Sequence, residues 1–312
     1  MEKRARKRIL LFVLGFLLIN GGLSVYFLKI SSRNFKVARK DHRFWKGYDN
    51  QPIIIMGHSR PAKAIVPEEL KNSIKYCSSA ESIEKTYYRF KKILKKGTPQ
   101  LLILPAGYCY VAMDQAEYAI ADFFWKRYLN YPELARITRD YETYYSRMIK
   151  AYAFPYHRYP YVKLKDWNDE AMVRFRDDYP SMSDEERQEL ANRVVSYQAR
   201  NKGIEAPASL KYLDMLITLA QKNDVKLLFV KYPVTNYYSD AGEAEAMSSK
   251  RDPDAIEKLV RKQEGVMYLD LERSLDHCET CFQDVQHLSR EGAIQFTELF
   301  KEEVKRQFNI DL

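Results

Sequence analysis

Five short apolar runs follow one another along the chain after residue 50, each separated from the next by more polar residues. They are "PIIIM" (52–56), "SIKYC" (73–77), "QLLILP" (100–105), "VKLLFVKYP" (225–233) and "VMYLDL" (266–271). The runs are rich in Ile, Leu and Val and mostly continuous rather than alternating, which is typical of strands buried on both faces of a parallel sheet. The pattern therefore predicts five strands.

Helical spacing of apolar positions fills much of the chain between these runs. It predicts helices over 82–97, 207–224, 252–265 and 289–308. The first of them ends in a basic turn with Gly97 after it, and Ser289 is the predicted N-cap of the last. Because strands and helices alternate, we expect an α/β fold over residues 51–312, with three layers (α/β/α) around a parallel sheet.

Residues 108–206 interrupt this alternation. They contain no convincing strand, and the sequence "SDEE" at 183–186 is a capping box that predicts the start of a helix. Half of the 24 tyrosines lie between residues 108 and 161. We interpret the block as a helical insertion after the third strand, whose tyrosines either form its own core or line a groove for sugars or a partner.

A different apolar pattern stands at the front of the chain. Residues 9–28, "ILLFVLGFLLINGGLSVYFL", carry no charge, and about 20 apolar residues match the thickness of a bilayer core. The sequence thus predicts a cytoplasmic tail (1–8), a transmembrane helix (9–28) that contacts membrane lipid, and a charged stalk (29–50). A cleaved signal peptide is the alternative, but no small-residue cleavage site follows residue 28.

The net charge of +9 belongs to this front segment. Residues 1–48 hold twelve Lys or Arg against one Glu and one Asp, so the rest of the chain is close to neutral. Basic residues beside an apolar helix favour anionic lipid headgroups and a cytoplasmic N-terminus. We therefore expect no nucleic acid partner and a single-pass protein of the inner (plasma) membrane, with the C-terminal domain outside the cytoplasm.

Four cysteines bear on the redox state of that domain. Cys77 and Cys109 are isolated, whereas Cys278 and Cys281 form a C-x-x-C pair. A zinc site would need a second such pair, and no strand-to-helix pattern of the thioredoxin type leads into this one. A local disulfide or two buried thiols is the preferred interpretation over a thiol oxidoreductase.

The residues that follow the first predicted strand suggest chemistry. The run 53–56 stops at Gly57 and is followed by His58 and Ser59. A serine hydroxyl becomes a good nucleophile when a neutral imidazole accepts its proton, and a carboxylate improves that imidazole by fixing its tautomer. Ser59 therefore needs a histidine from elsewhere in the chain.

Of the five histidines, His287 fits this requirement best. Asp284 stands three residues before it, and we expect both to lie in a loop ahead of the last helix. The loops at the carboxyl ends of parallel strands meet at one rim of the sheet, so the loop after the first strand can approach this one.

Together, "IIIMGHSR" and "DVQHLSREGAIQF" resemble the SGNH superfamily of GDSL-like esterases and acyltransferases, particularly its membrane-anchored bacterial members that act on cell-envelope polymers. The resemblance implies a flavodoxin-like α/β/α fold with Ser59 as nucleophile, His287 as base and Asp284 as its partner. An α/β-hydrolase fits less well, because residues 57–61 do not match G-x-S-x-G.

The resemblance also implies an oxyanion hole, where the chain departs from the family. The family places a glycine after the second strand and an asparagine after the third, but this chain has "KYCSSAES" and "LPAGYCY" there. Ser79 (or its neighbour Ser78) and the Tyr108 hydroxyl are the candidate substitutes. Arg60 pairs either with an anionic substrate or with a carboxylate of the scaffold.

The expected function is that of a serine esterase or O-acyltransferase acting on acyl esters of cell-envelope or exported polysaccharide. Its partners would be the acylated glycan and a membrane acyltransferase, and this chemistry requires neither a metal nor an organic cofactor. The missing asparagine and the tyrosine-rich insertion favour one alternative, a non-catalytic SGNH-like subunit that binds glycan or assists assembly.

Overall fold

The computed structural model describes residues 2–29, 44–78, 81–107, 133, 179–200, 207–249 and 254–312. The chain divides into two compact units, residues 1–46 with 116–174 and residues 47–115 with 175–312. The parallel sheet and the candidate site both belong to the second unit.

Five parallel strands form the sheet, as the apolar runs predict. Their bounds are β1 (Ile53–Gly57), β2 (Ser73–Cys77), β3 (Leu101–Pro105), β4 (Lys226–Lys231) and β5 (Val266–Asp270). The order across the sheet is β2-β1-β3-β4-β5, and every neighbouring pair is parallel. In this doubly wound order the chain switches direction beside β1, which is where sheets of this kind open a crevice for ligands.

Helices connect the strands. Their bounds are α1 (Glu2–Lys29), α2 (Ser59–Ala64), α3 (Ile83–Leu94), α4 (Asp184–Arg200), α5 (Pro207–Gln221), α6 (Asn236–Ser249), α7 (Ala255–Val260) and α8 (Arg290–Phe308). A short antiparallel pair, β6 (Phe282–Asp284) and β7 (His287–Leu288), precedes α8. The α/β class predicted from the alternation is therefore confirmed.

Both faces of the sheet are buried. Ile53 and Ile55 of β1 share one hydrophobic cluster with Phe296 and Phe300 of α8. Ile54 is equally buried, but it lies outside that cluster, because successive side chains of a strand point to opposite faces. Helices α3 and α5 pack against each other and contact β1 and β4, respectively.

Part of the predicted insertion is described, namely residue 133 and residues 179–200. The predicted capping box is confirmed at the start of α4: the Ser183 N–H donates to Glu186 Oε2 at 2.8 Å, and the Glu186 N–H donates to Ser183 Oγ at 3.3 Å. The tyrosine-rich residues 108–161 lie outside the described residues, apart from residue 133.

Helix α1 covers the segment predicted to cross a membrane, and basic residues fill its first two turns. Among the described residues, no helix combines the length and the apolar character that a membrane crossing needs. The structure therefore gives the predicted transmembrane span over residues 9–28 no support.

Candidate active site

Ser59 stands at the junction of β1 and α2, on a turn formed by residues 57–60, which we call the serine turn. Gly57 has φ +126°, and a Cβ at this position would lie 2.5 Å from Cδ of Pro105. Only glycine satisfies both the backbone angle and this close approach. His58 then caps α2, since its Nδ1 accepts the Arg60 N–H at 3.2 Å. The apolar strand therefore ends at a glycine because the backbone must turn tightly to present Ser59.

The sequence predicts that Asp284 and His287 lie in a loop ahead of the last helix; in the structure they lie there in a two-stranded hairpin formed by β6 and β7. In the register of this hairpin Asp284 faces His287 directly. The Asp284 carboxylate also accepts the Gln286 N–H at 2.9 Å, which fixes its orientation. We call residues 282–288 the Asp–His hairpin.

The three side chains meet in one line of hydrogen bonds. His287 Nδ1 lies 3.0 Å and 2.9 Å from the two carboxylate oxygens of Asp284, and His287 Nε2 lies 2.8 Å from Ser59 Oγ. These are ordinary hydrogen-bond lengths. With the Nδ1–H donated to the carboxylate, Nε2 is left as the acceptor for the serine hydroxyl.

Burial favours this arrangement. His287 is 6% exposed and Asp284 is partly buried, so their hydrogen bond is shielded from competing water. The structure thus brings together Ser59, Asp284 and His287, the three residues predicted to act in catalysis.

A threonine that sequence reasoning missed holds the centre of the Asp–His hairpin. The backbone N–H and the hydroxyl of Thr235 both donate to the carbonyl of Val285, at 3.1 Å and 2.9 Å. Thr235 follows the carboxyl end of β4, on the rim where β1 also ends. A single threonine after a strand is not distinctive, so the sequence alone does not single Thr235 out.

A disulfide closes the entrance to the hairpin. Cys278 and Cys281 are bonded to each other, so the prediction of a local pair resolves to a disulfide. Cys278 precedes a 3₁₀ turn, Glu279–Cys281, and Cys281 is the last residue of that turn, which leads directly into β6. The Cys281 carbonyl accepts the Ser289 N–H at 2.8 Å. The turn is therefore joined to the chain on both sides of the hairpin, before β6 and after β7.

Helix α8 begins against the same turn. Ser289 caps it, as predicted, by accepting the Gly292 N–H at 3.1 Å. A Cβ at Gly292 would overlap the carbonyl of Cys281, so the helix can approach this closely only with glycine there. The last helix and the hairpin are consequently packed as one piece.

The loop after β2 is fixed by a buried ion pair. Arg89 contacts Glu81, both side chains are almost wholly inaccessible, and Arg89 Nη1 also donates to Ser78 Oγ at 3.1 Å. Burial raises the pKa of the Glu81 carboxyl, and the Arg89 charge opposes this. The Ser78 N–H donates to the Gly57 carbonyl at 3.0 Å and is therefore not available to an oxyanion. The other two predicted oxyanion candidates, Ser79 and Tyr108, lie outside the described residues.

Arg60 packs into the scaffold. It is 7% exposed, and its guanidinium lies 4.8 Å from the centre of the Tyr238 ring. The two predicted partners are an anionic substrate and a carboxylate of the scaffold, whereas the contact seen here is with an aromatic ring.

Tyr179 is another residue near the hairpin that the sequence did not single out. It lies in a 3₁₀ turn, Tyr179–Ser181, and is 2% exposed. Burial raises its pKa to about 12; a hydrogen bond with Thr235 and the charge of Arg187 work against this rise, and the negative charge of Asp284 adds to it. Tyr179 therefore stays neutral beside the carboxylate at ordinary pH.

Within the described ranges, no group of three or more His, Cys, Asp or Glu side chains is arranged to hold a metal ion.

Comparison with known proteins gives little further information. The sequence matches no protein-family model and no curated protein sequence. Among solved structures it is similar to a Bacteroides fragilis protein provisionally described as an acylhydrolase, over 88% of this chain and 97% of that chain, with 11% sequence identity and a TM-score of 0.40. A likeness at this level assigns neither a family nor an activity to the chain.

Proposed function

We propose that this protein is a serine esterase or O-acyltransferase that works through an acyl-enzyme on Ser59. The observation that carries the proposal is the 2.8 Å contact between Ser59 Oγ and His287 Nε2, with Nδ1 of the same imidazole held by Asp284. A serine, a histidine and a carboxylate in this order form the arrangement that activates a hydroxyl for attack on a carbonyl.

In the first half-reaction, Ser59 Oγ attacks the ester carbonyl carbon while its proton moves to His287 Nε2. The imidazolium that forms is stabilised by the Asp284 carboxylate through the Nδ1–H bond. The tetrahedral intermediate then collapses: the bond to the alcohol oxygen breaks, and His287 returns its proton to that oxygen. The products are the free alcohol and an ester of Ser59.

The second half-reaction frees the serine. A hydroxyl group loses its proton to His287 Nε2 and attacks the acyl carbon, and Ser59 leaves with that proton. If the hydroxyl belongs to water the protein is an esterase, whereas a sugar hydroxyl makes it an O-acyltransferase. The same three side chains serve both reactions.

We assign the domain to the SGNH type. Two features support this: Ser59 follows β1, and the Asp-x-x-His sequence precedes the last helix, on a sheet of order β2-β1-β3-β4-β5. The loop after β3 begins with Ala106 and Gly107 rather than with the family's asparagine. Loss of one oxyanion donor costs on the order of 10²- to 10³-fold in rate, so slow turnover is expected.

The proposed setting is the membrane surface, and the proposed substrate is an acylated envelope or exported polysaccharide. Large apolar side chains of α1 are exposed, for example Phe12 and Leu18 at 75% each. Exposed apolar surface of this extent marks contact with lipid or protein. Sedimentation of the full chain with anionic lipid vesicles, lost when residues 9–28 are deleted, would support the setting; equal sedimentation of both would contradict it.

A fluorophosphonate probe tests the activity, because it modifies only an activated serine. We expect labelling of the wild-type protein, no labelling of Ser59→Ala, and normal labelling of Ser196→Ala, a matched change at an exposed position of α4. Absence of labelling in folded wild-type protein would refute the enzyme and favour the non-catalytic glycan-binding subunit. Release of acetate from an acetylated polysaccharide, with and without a sugar acceptor, then separates hydrolysis from transfer.

A further inference from the structure

We infer that Arg187 is a positioning residue that fixes the Asp–His hairpin through the two turns that flank it. The inference rests on the proposed function, since it assigns Arg187 a part in the reaction of Ser59. Arg187 touches none of the three reacting side chains in the contacts described above, so its effect is indirect.

Arg187 is buried where its neighbours are not. It lies in the first turns of α4 and is 4% exposed, whereas Glu185 and Glu186 beside it are exposed. An arginine is rarely buried unless its guanidinium is bound on several sides. Its surroundings therefore indicate a specific role.

Three contacts hold the guanidinium. Arg187 Nη2 donates to the Pro180 carbonyl at 2.9 Å, and Arg187 Nη1 pairs with Glu279 Oε2 at 2.9 Å. The group also lies 5.4 Å from the centre of the Tyr179 ring. Two more side chains of the same neighbourhood face it, Asp184 at 3.8 Å and the hydroxyl of Tyr237.

These contacts join two turns that are far apart in sequence. Pro180 belongs to the 179–181 turn, which packs against β6, and Glu279 belongs to the disulfide-closed turn that continues into β6. Tyr179 approaches Thr235 and Asp284, and Cys281 binds the far end of the hairpin through the Ser289 N–H. Arg187 thus ties together the supports on both sides of Asp284 and His287.

The planar fork of arginine suits this task. It reaches a carbonyl and a carboxylate in fixed directions at the same time, which a lysine ammonium on a flexible stem does not reproduce. Because a displacement of about 1 Å in a catalytic group can cost about 10²-fold in rate, loosening the two turns would be visible in turnover.

The test compares Arg187→Lys and Glu279→Gln with Arg193→Lys and Glu185→Gln, which alter exposed positions of α4. Ester hydrolysis by the full chain is measured per active serine, counted with the fluorophosphonate, so that misfolded protein does not contribute. We expect kcat to fall by about 10-fold or more in Arg187→Lys, with a smaller fall in Glu279→Gln, unchanged KM and no effect in the controls.

The split between kcat and KM, measured per active serine, separates positioning from a general loss of stability. His287 faces Asp284 from the hairpin and Ser59 from α2. If the Asp284–His287 bond lengthens, the imidazolium that forms during the reaction is less stabilised, so kcat falls in Arg187→Lys and Glu279→Gln while KM for the ester stays unchanged.

Glu279→Gln keeps the test decisive if Arg187→Lys does not fold, because the Glu279 carboxylate is largely exposed. The double variant is expected to be no slower than Arg187→Lys alone, since both changes break the same link. Unchanged kcat in both variants, with an active wild type, would overturn the role of Arg187 and leave the proposed function intact. An inactive wild type would overturn both.

Discussion

Ser59 and its two partners reach the same point of the molecule by different means. The serine turn is held mainly from within: Gly57 provides the backbone angle and His58 caps the helix that Ser59 begins. The Asp–His hairpin is held from outside, by Thr235 at a sequence separation of 50 residues and by the disulfide-closed turn next to it. The Ser59–His287 hydrogen bond, across 228 residues, joins the serine turn to the hairpin.

This difference has a physical consequence. A turn encoded by its own residues forms as soon as the strand and helix beside it form, whereas a short hairpin of this size needs tertiary support to persist. The serine turn is therefore expected to be sensitive to local backbone changes, and the hairpin to the loss of distant hydrogen bonds. Four predictions test this contrast.

The largest effect is expected on the hairpin side, from Asp284→Asn. The NH2 group of the amide donates to Nδ1 of His287, which forces the imidazole into the wrong tautomer, and kcat should fall by on the order of 10⁴-fold. Steady-state hydrolysis per folded molecule measures this. Asp214→Asn, at an exposed position of α5, is the control and should be unaffected. A loss of less than about tenfold would mean that Asp284 does not orient His287.

On the serine side, Gly57→Ala is expected to lower the unfolding free energy. The new Cβ meets Pro105 and the backbone must keep φ +126°, so strain and overpacking together should cost about 3 kcal/mol or more of unfolding free energy.

Gly265→Ala is its matched control, because Gly265 also has positive φ (+73°) but has no atom within 4 Å of an added Cβ. In urea denaturation, Gly265→Ala should lower the unfolding free energy by only about 1 kcal/mol. Equal losses in the two variants would contradict the role of the Pro105 contact.

Alkaline pH should act on the hairpin side through Tyr179. The pKa of Tyr179 is about 12 in the folded protein, against the ordinary 10. Its contribution to the unfolding free energy is therefore fully present below pH 10. The contribution is lost between pH 10 and 12, because there the unfolded chain loses a proton that the folded chain keeps. Tyr179 contributes on the order of 2–3 kcal/mol to this change in unfolding free energy.

Denaturation curves of wild type and Tyr179→Phe across this range measure that contribution. Burial also raises the pKa of Tyr232, so part of the loss of stability at alkaline pH remains in both proteins. Identical pH dependence in wild type and Tyr179→Phe would argue against a buried, neutral Tyr179.

The smallest expected effect is that of Thr235→Val. The hydroxyl loses its bond to Val285 and its contacts with the Tyr238 N–H and with Tyr179, while the backbone N–H of the same residue still donates to the Val285 carbonyl. Removal of these bonds should lower the unfolding free energy by about 1 kcal/mol or somewhat more, measured by urea denaturation. Thr218→Val, an exposed change on α5, serves as the reference. A loss no larger than the reference would show that the hydroxyl does not support the hairpin.

The contrast also explains what the sequence could and could not predict. The strands follow from their apolar runs, and the end of β1 from Gly57, because these signals are local. The spacing of Asp284 and His287 predicts that the two side chains interact. It does not predict the hairpin in which they face each other. Helix α6 escaped prediction because its residues, "NYYSDAGEAEAMSS", include a glycine and have no clear apolar face.

The supports of the hairpin were beyond sequence reasoning for a related reason. Thr235 and Arg187 acquire their roles from partners on other elements, at Val285 and Glu279. An isolated threonine after a strand and an arginine within a helix carry no pattern of their own. Such residues become recognisable only when the fold brings their partners to them.

The account depends on the activation of Ser59 by His287, and the rate of covalent modification by a fluorophosphonate measures it directly. The adduct is located by peptide mapping in wild type and in His287→Gln. We predict a single adduct on Ser59 in the wild type, forming at least about 10³-fold faster than in His287→Gln. Equal rates in the two proteins, or an adduct on any other residue, would contradict it.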